Sequence, residues 1–500
     1  MKILTSEQIR KIDAETIVRE GISSLELMKR AATAFYRFFT EKYTDRNTSV
    51  IIFAGMGNNG GDALVVARLL HKSGYPVKAY MVEFGNRYTE DCTHNIRRVK
   101  AENIPYKKIL NKEDIPDLSP FDVVIDGIFG TGLSREVSGA AAEVIARINE
   151  CGKEVISIDA PSGLFSDRKT KFAVKATETV TFQIPKLALF LPENAGFTGN
   201  VRIVNIGLNQ EAIAEAETDI YLTEKKKIRD LLKPLSKFVH KGILGHALII
   251  GGSLGKCGSV SLASKAALKT GCGLVTAYLP KCGVTAIQCY FPEAMALEDK
   301  GANHITSIDY ELKPDAIGIG IGMGLHEETA QAIYQFLQKN NTPLVVDADG
   351  LNILAGHPDW LSLLPSETIL TPHPKELQRL IGEWRDDYDK IEKTRFFARK
   401  YDVIVVVKGA YSLIIDGKEI YVNSSGTPAL ATAGSGDALT GMITSLLAQG
   451  YQAVEAARIG VFLHGMTADI AGECIHPRSF VASDIIENIG NAYRSLEKKN

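Results

Sequence analysis

Apolar residues fall in short runs that end in glycines and alternate with charged stretches of helical period. The opening is helical. Thr5 to Gln8 and Ser23 to Glu26 have the spacing of capping boxes, in which a hydroxyl and an amide or carboxylate satisfy free backbone donors. After the second, Met28, Ala31, Ala32, Phe35 and Phe39 recur at helical spacing and form one buried stripe, which is core and carries no chemistry. Val50–Ala54 then reads as a strand, 63–71 as a helix stopped by Gly74, and Val77–Val82 as the next strand. Further strands are predicted at 123–125 and 155–158, and closing strands at 180–182 and 201–206 with no long helix between them. Alternation of this kind implies a mainly parallel sheet covered by helices on both faces.

Across residues 209–237 the strand signals fade and charge becomes dense (EAIAEAETD, then EKKKIRDLLKPLSK), so a domain junction is expected there. The charge run reads as a solvated helix face. The second half restarts with a strand at 247–250, glycines, and a helix over 259–269. Strands at Ala316–Ile319, 343–346, Thr368–Leu370, Val403–Val407 and Leu413–Ile415 follow, without a short tandem repeat. The pattern is that of two α/β domains in series.

Composition narrows the class. The 500 residues carry 57 Lys+Arg against 59 Asp+Glu, a formal charge of -2, which argues against a dominant nucleic-acid surface. With 45% hydrophobic residues the chain can bury large cores and needs no metal or disulfide staple. Seven scattered cysteines without a CxxC pair fit a reducing compartment. The opening MKILTSEQIRKID brings charges before any apolar h-region, and no apolar run approaches the ~18 residues of a membrane span. A cytoplasmic protein without membrane or nucleic-acid partners is expected.

In the first domain, Gly55-Met56-Gly57-Asn58-Asn59-Gly60 fits G-x-G-x-x-G after a buried strand and before a helix. Glycines let a backbone approach a phosphate, and free N–H groups at the helix start add donors and positive dipole. Glu83, near the end of the next strand, stands at roughly the position of a ribose-binding acid. Asn58, Asn59 and Asp62 add amide and carboxylate groups at the lip of the sheet. Asp126 and Asp159 each end a strand, followed by Gly127-Ile128-Phe129-Gly130-Thr131-Gly132 and by Ala160-Pro161-Ser162-Gly163. Ligands of open α/β sheets bind at that edge, and such oxygens can hold a hard cation or act as acid and base.

In the second domain a P-loop is excluded: residues 250–257 lack the first glycine and the final Ser/Thr of GxxxxGK[ST]. Thr432-Ala433-Gly434-Ser435-Gly436-Asp437 opens a helix with small residues, an arrangement that aims backbone donors at a transferring phosphoryl group. Asp437 is placed there to take a proton from an attacking hydroxyl. An N-terminal cap is the plainer reading of that aspartate. Lys408-Gly409-Ala410-Tyr411-Ser412 follows one strand, Asp347-Ala348-Asp349 another, and His373 stands between two prolines after a third. No histidine pair has zinc-ligand spacing beside cysteines.

These strings resemble known families. HKGILGH, GIGMG, PLVVDADGLNIL, ILTPHPKEL, VKGAYS and ATAGSGDALTGMITSLLAQG are similar to the ADP-dependent NAD(P)H-hydrate dehydratases of the ribokinase-like superfamily. GNNGGDALVVARLL, DGIFGTGLSRE, SIDAPSGL and TGNVRIVNIGL are similar to the NAD(P)H-hydrate epimerases. The resemblance covers nearly the whole chain. It implies an α/β protein with a Rossmann-like three-layer domain over 1–215 and a ribokinase-like three-layer domain over 225–500. The first would interconvert the R and S hydrates of NADH and NADPH, and the second would dehydrate the S form, turning ADP into AMP and phosphate.

Carried over by residue, Asn58, Asn59, Gly60, Gly61, Asp62, Gly130, Thr131, Gly132, Leu133, Ser134, Arg135 and Glu136 would hold the hydrate, with Asp159 as the acid/base. Asn59, Asp126 and Ser162 would bind potassium. In the second domain Ser259, Gly322, His373 and Asp437 would meet the hydrate, with Asp437 catalytic, while Lys408, Gly409, Ala410, Tyr411, Ser412 and Gly436 would meet the nucleotide, accompanied by magnesium. A homo-oligomer is implied too. Ser259 replaces the family's usual alanine, and Ile321-Gly322-Met323 replaces a Pro-Gly-Leu turn. Two other readings compete: a ribokinase-type kinase of small alcohols with a regulatory first domain, and a non-enzymatic scaffold, since the first fold also resembles binding modules of mRNA-decapping proteins.

Overall fold

A computed structural model describes residues 1–498, so the last two residues of the expected 225–500 domain lie outside the described residues. The chain forms two compact units, Met1–Thr218 with Asp386–Tyr388, and Asp219–Arg385 with the segment from Asp389 onward. Among the described residues no helix is long and apolar enough to cross a membrane.

The first unit is built on seven parallel strands: β1 (Val50–Ala54), β2 (Val77–Val82), β3 (Tyr106–Ile109), β4 (Val123–Gly127), β5 (Glu154–Ile158), β6 (Glu178–Phe182) and β7 (Asn200–Val204). Their order is β3-β2-β1-β4-β5-β6-β7, so the winding reverses between β1 and β4. Strand periodicity explains why β1 is apolar throughout. Val50, Ile52 and Ala54 face a core with the helices Ser24–Lys42 and Asn58–Lys72, while Ile51 and Phe53 face a second core with the helix Gly139–Glu150. The stripe from Met28 to Phe39 lies in the first of these cores, as its spacing predicts. Thr5 forms a full capping box, whereas Ser23 makes only the half in which its side chain accepts from the Glu26 N–H.

The second unit contains β8 (Ile220–Leu222), β9 (His246–Ile250), β10 (Leu274–Leu279), β11 (Met295–Glu298), β12 (Ala316–Ile319), β13 (Leu344–Val346), β14 (Thr368–Leu370), β15 (Val403–Val407), β16 (Leu413–Ile415) and β17 (Ile420–Val422). The sheet order is β11-β10-β9-β12-β13-β14-β15-β16-β17-β8. Only the β15/β16 and β16/β17 pairs are antiparallel, which makes a hairpin at one side of a parallel sheet. Segment 220–222, outside both expected domains, pairs with β17 and belongs to this sheet. Three residues are too short a run to announce a strand by pattern, and the pairing partner lies two hundred positions away.

Two helices cover the middle of this sheet at close range, Gly258–Thr270 and Ser435–Ala448. They touch where Gly441 meets Ala263: a Cβ on Gly441 would stand 2.0 Å from the Ala263 carbonyl oxygen. Backbone atoms cannot yield as a flexible side chain can. Gly441→Ala is therefore expected to destabilise the second unit by about 1–3 kcal/mol or more, read as a lowered urea midpoint, although alanine is the better helix former.

Candidate active sites

In the first unit the ends of β1 and β4 meet almost without side chains. Gly55 donates its N–H to the Gly127 carbonyl at 3.0 Å. A Cβ on Gly55 would lie 1.9 Å from the Ile128 carbonyl oxygen, and one on Gly60 1.8 Å from the Gly55 oxygen. The next helix starts at Asn58 rather than 63; Asn58 and Asn59 open its first turn and Asp62 begins the second, above the point where the winding reverses. No side chain caps this helix start.

A cavity of about 660 Å³ opens there. Asn58, Asn59 and Asp62 line one side, Gly130 through Ser138 another, and Asp159, Lys186 and Asp13 its floor. Asp159 follows β5 in the left-handed region, φ 65°. Aspartate tolerates that conformation better than most residues. Its N–H donates to the Val180 carbonyl at 2.8 Å, which fixes the turn. One carboxylate oxygen accepts from Lys186 Nζ at 2.5 Å, from Thr181 Oγ1 at 3.2 Å and from the Phe182 N–H at 3.2 Å; the other faces Thr131 Oγ1 at 3.5 Å. Lys186 is buried, and its ammonium also donates to Thr181 Oγ1 at 2.8 Å.

Two more acids surround this pair. Burial, and then the charge of Asp159, push Asp13 up to about 6 against the opposing pull of Lys186. Burial raises Asp62 well above the carboxylate range, helped by Asp159 and Asp13, and its Oδ1 has no hydrogen-bond partner. The floor thus holds one ammonium among carboxyls that burial disposes to keep protons.

Asp126 is fully buried behind this floor at the end of β4. Its carboxylate accepts from Ser157 Oγ at 2.8 Å, from the Ser162 N–H at 2.8 Å, from Ser162 Oγ at 2.5 Å and from the Ile128 N–H at 3.3 Å. All four donors are uncharged. Burial raises its pKa although these donors oppose the rise. Nearby, the Asn59 side chain packs on Gly130, and its Nδ2 is buried without a partner. A carboxylate without a counter-charge, an unsatisfied amide and a hydroxyl are a donor set that fits a large monovalent cation.

The second unit repeats the device at its own reversal point, between β9 and β12. A Cβ on Gly251 would lie 2.3 Å from the Ile321 carbonyl oxygen, which accepts the Gly252 N–H at 2.9 Å. Beside it Gly434, in the left-handed region at φ 82°, caps the helix Ser435–Ala448 without any side-chain cap. Asp437 is the third residue of that helix, so it is not the cap. Its carboxyl is raised by burial and by Asp347 and Asp349, while a hydrogen bond from Ser259 and the charge of Lys408 pull it down. Asp347 accepts from Lys408 Nζ at 2.7 Å, from Thr440 Oγ1 at 2.7 Å and from the Ala348 N–H at 2.8 Å. A Cβ on Gly436 would stand 3.1 Å from Lys408 Nζ. Glycine there keeps the ammonium close to the free end of the helix.

Two comparisons with known proteins bear on these sites. Residues 24–188 match the family described as YjeF-related protein N-terminus, and residues 247–490 match NAD(P)H-hydrate dehydratase. The chain is 33% identical over 520 residues to the bifunctional NAD(P)H-hydrate repair enzyme Nnr of Moorella thermoacetica, spanning 100% of this chain and 98% of that one. It is 34% identical over 496 residues to the enzyme of the same name from Coxiella burnetii, spanning 97% and 98%. The chain belongs to the bifunctional NAD(P)H-hydrate repair enzymes. A crystal structure of a Bacillus subtilis ADP/ATP-dependent NAD(P)H-hydrate dehydratase, co-crystallised with ATP and magnesium, is 24% identical and covers 56% of this chain and 100% of that one, with a TM-score of 0.49.

Within this repair enzyme the structure sorts the residues that the sequence singles out. Asn58, Asn59, Asp62 and the run Gly130, Thr131, Gly132, Leu133, Ser134, Arg135 and Glu136 converge with Asp159 on one cavity. Gly60 and Gly61 do not line it: both are buried, and a Cβ on Gly61 would strike Met28 Sδ at 2.7 Å. Glu83 does not line this cavity. Burial pushes it up, but ion pairing with Lys108 at 2.5 Å and a hydrogen bond from Tyr88 hold it below the usual carboxylate range.

In the second unit Ser259, Gly322, Asp437, Lys408 and Gly436 form one continuous group, with a Cβ on Gly322 reaching Ser259 Cβ at 3.1 Å. The Lys408 N–H donates to the Pro372 carbonyl at 3.0 Å and brings the loop of His373 alongside. His373 caps the helix Pro374–Ile381, its Nδ1 accepting from the Lys375 and Glu376 N–H groups at 3.1 and 3.3 Å. Ser412 Oγ closes the Gly409 turn by donating to the Gly409 carbonyl at 3.1 Å.

Three residues escape the sequence reading. Lys186 stands alone in the apolar run FQIPKLALF, and a single charge in such a run is the signal that could have found it. Asp13 lies beside a helical stripe and gives none. His464 is buried in an apolar helix, where burial lowers it to about 4, and its neutral ring bonds Ser435 Oγ at 3.1 Å and the Ser435 carbonyl at 3.0 Å. It steadies the helix start that carries Asp437.

Asp13 generates a pH test. Its folded pKa, about 6, exceeds the unfolded 3.8, so the stability it contributes is complete below 3.8 and is lost as pH rises through 6. Relative to Asp13→Asn, the native chain should lose roughly 2 kcal/mol between about pH 4 and 6. Urea midpoints across that range measure it; parallel curves for the two proteins would contradict it.

Proposed function

We propose that a first domain, 1–215, epimerises the hydrates of NADH and NADPH, and that a second, 225–500, dehydrates the S form with ADP as phosphoryl donor. The observation that carries this reading is a half-buried carboxyl, Asp159 or Asp437, with a lysine near it at the carboxyl edge of each sheet. Full-length similarity to enzymes named for bifunctional NAD(P)H-hydrate repair supports it.

In the first cavity the hydrate's C6 hydroxyl sits on a carbon bonded to the ring nitrogen. Lys186 Nζ donates to Asp159 at 2.5 Å, and the pair would give a proton to that hydroxyl and take one back. Protonation lets the ring nitrogen expel water and leaves C6 planar, and water can return to either face. The 130–136 segment and Asn58, Asn59 and Asp62 would hold the molecule. Potassium would be held by Asn59, Asp126 and Ser162 and would balance the buried Asp126 charge.

In the second unit Asp437, raised by burial, would take the proton of the C6 hydroxyl as it accepts the terminal phosphoryl group. The free N–H groups at the start of the helix Ser435–Ala448 and the Lys408 ammonium would stabilise the transferring charge. Phosphate then leaves, pushed by the ring nitrogen, and loss of the C5 proton restores the double bond. Lys408, Gly409, Ala410, Tyr411, Ser412 and Gly436 would bind the nucleotide; Ser259, Gly322 and His373 would meet the hydrate. The described residues hold no cluster of three or more metal-ligating side chains, which suits magnesium carried mainly by nucleotide phosphates. A cytoplasmic homo-oligomer completes the reading, in keeping with seven free cysteines.

The crossed pair of variants tests the division of labour. Asp437→Asn should lower nucleotide-dependent dehydration by a factor of about a hundred or more and leave epimerisation intact. Asp159→Ala should do the reverse. Chromatographic assay of the R and S hydrates reads both steps, and equal loss of both in either variant would refute two separate sites.

A further inference from the structure

Apart from these sites, one cysteine pair among the described residues has its sulfurs side by side. Cys257 directly precedes the helix Gly258–Thr270, and Cys282 is the second residue of the helix Lys281–Tyr290. Their Sγ atoms are 3.9 Å apart, with Cys282 exposed and Cys257 half-buried. The next residue, Gly283, makes the room: a Cβ there would stand 2.7 Å from Cys257 Sγ and 2.4 Å from Leu279 Cδ1. The Cys257 sulfur therefore rests on the backbone of the second helix. It also points to the Ser253 carbonyl at 3.3 Å.

We propose that Cys257 and Cys282 are a redox-sensitive pair whose disulfide, formed by a peroxide, slows the dehydration step. Exposed Cys282 reacts first: its thiol attacks the O–O bond, yielding Cys282 sulfenic acid and one water. The Cys257 thiol then attacks that sulfur, forming the S–S bond and releasing a second water. Two thiols and one peroxide thus become one disulfide and two waters. Burial, with Cys282 adding to it, holds the Cys257 thiol up at about 11, which suits a resolving rather than a first-reacting sulfur.

The bond matters because of what Cys257 precedes. Forming it draws the sulfurs from 3.9 Å to about 2.05 Å, and whatever part of that approach side-chain rotation does not supply falls on the chain at the helix start. Two residues on, Ser259 hydrogen-bonds Asp437 and packs within 3.1 Å of the Gly322 Cβ position. A displacement on the order of 1 Å at a positioning group costs up to about a hundredfold in rate. The effect on activity rests on the assignment of dehydration to Asp437, while the covalent bond is read by mass alone.

The test treats the full-length protein with hydrogen peroxide, then digests it without reduction and identifies linked peptides by mass spectrometry. The expected result is a peptide joining Cys257 to Cys282, two hydrogens lighter than its parts. Dehydration should fall by about tenfold to a hundredfold with epimerisation unchanged, and dithiothreitol should restore it. Cys282→Ser should match the untreated activity and resist peroxide. Absence of the linked peptide overturns the pair, as would linkage of Cys282 to Cys289 or to another chain. A linked peptide with undiminished dehydration, or equal inactivation of Cys282→Ser, overturns the switch.

Discussion

Each sheet is organised around a place where two backbones come closer than any side chain allows. At the reversal between β1 and β4, Gly55 faces the Ile128 carbonyl; at that between β9 and β12, Gly251 faces the Ile321 carbonyl. Adding a methyl group at either point would demand space that the opposite main chain occupies. The carboxyl ends of central strands diverge on either side of a reversal, and the crevice between them receives ligands. The glycine contacts set how deep that crevice is and which helix turns overlook it. In the first unit the NNGGD turn overlooks it, and in the second the Gly434–Asp437 turn does.

The chemistry of both crevices comes from carboxyls withheld from water. Asp62, Asp13, Asp126 and Asp437 are all raised chiefly by burial. Each crevice has an ammonium held at short range on one of its acids, Lys186 on Asp159 and Lys408 on Asp347, and Lys256 lies 3.8 Å from Asp349. These lysines bring positive charge to each crevice, while burial favours the neutral forms of Asp13, Asp62, Asp126 and Asp437. Burial and pairing thus give groups of the same type different environments.

Backbone strain sits at the same edges. Asp159, directly after β5, and Ala348, two residues after β13, both adopt positive φ next to the acids of their sites. For alanine at φ 52° and ψ -119° nothing in the residue favours the conformation, which costs on the order of 1–3 kcal/mol. The hydrogen bond from the Ala348 N–H to Asp347 holds it, and through Asp347 the strained turn is tied to Lys408 and Thr440.

Much of this was legible from residue order alone. Apolar runs ending in glycine mark β1, β9 and β15, because a strand buried on both faces must be apolar at every position. The aspartates at strand ends and the small-residue helix start at Gly434 announce the two ligand edges, and long motif strings carry the family. The three-residue strand Ile220–Leu222, the buried Lys186 and His464, and the pairing of Glu83 with Lys108 were not legible. Each depends on a partner far along the chain, and periodicity speaks only of neighbours. The amino-acid order determined which segments are strand or helix and which acids stand at the sheet edges. Tertiary structure alone decided which of those acids share a cavity, which lose water, and which are neutralised by a lysine, since proton affinity is set by distance and burial in space.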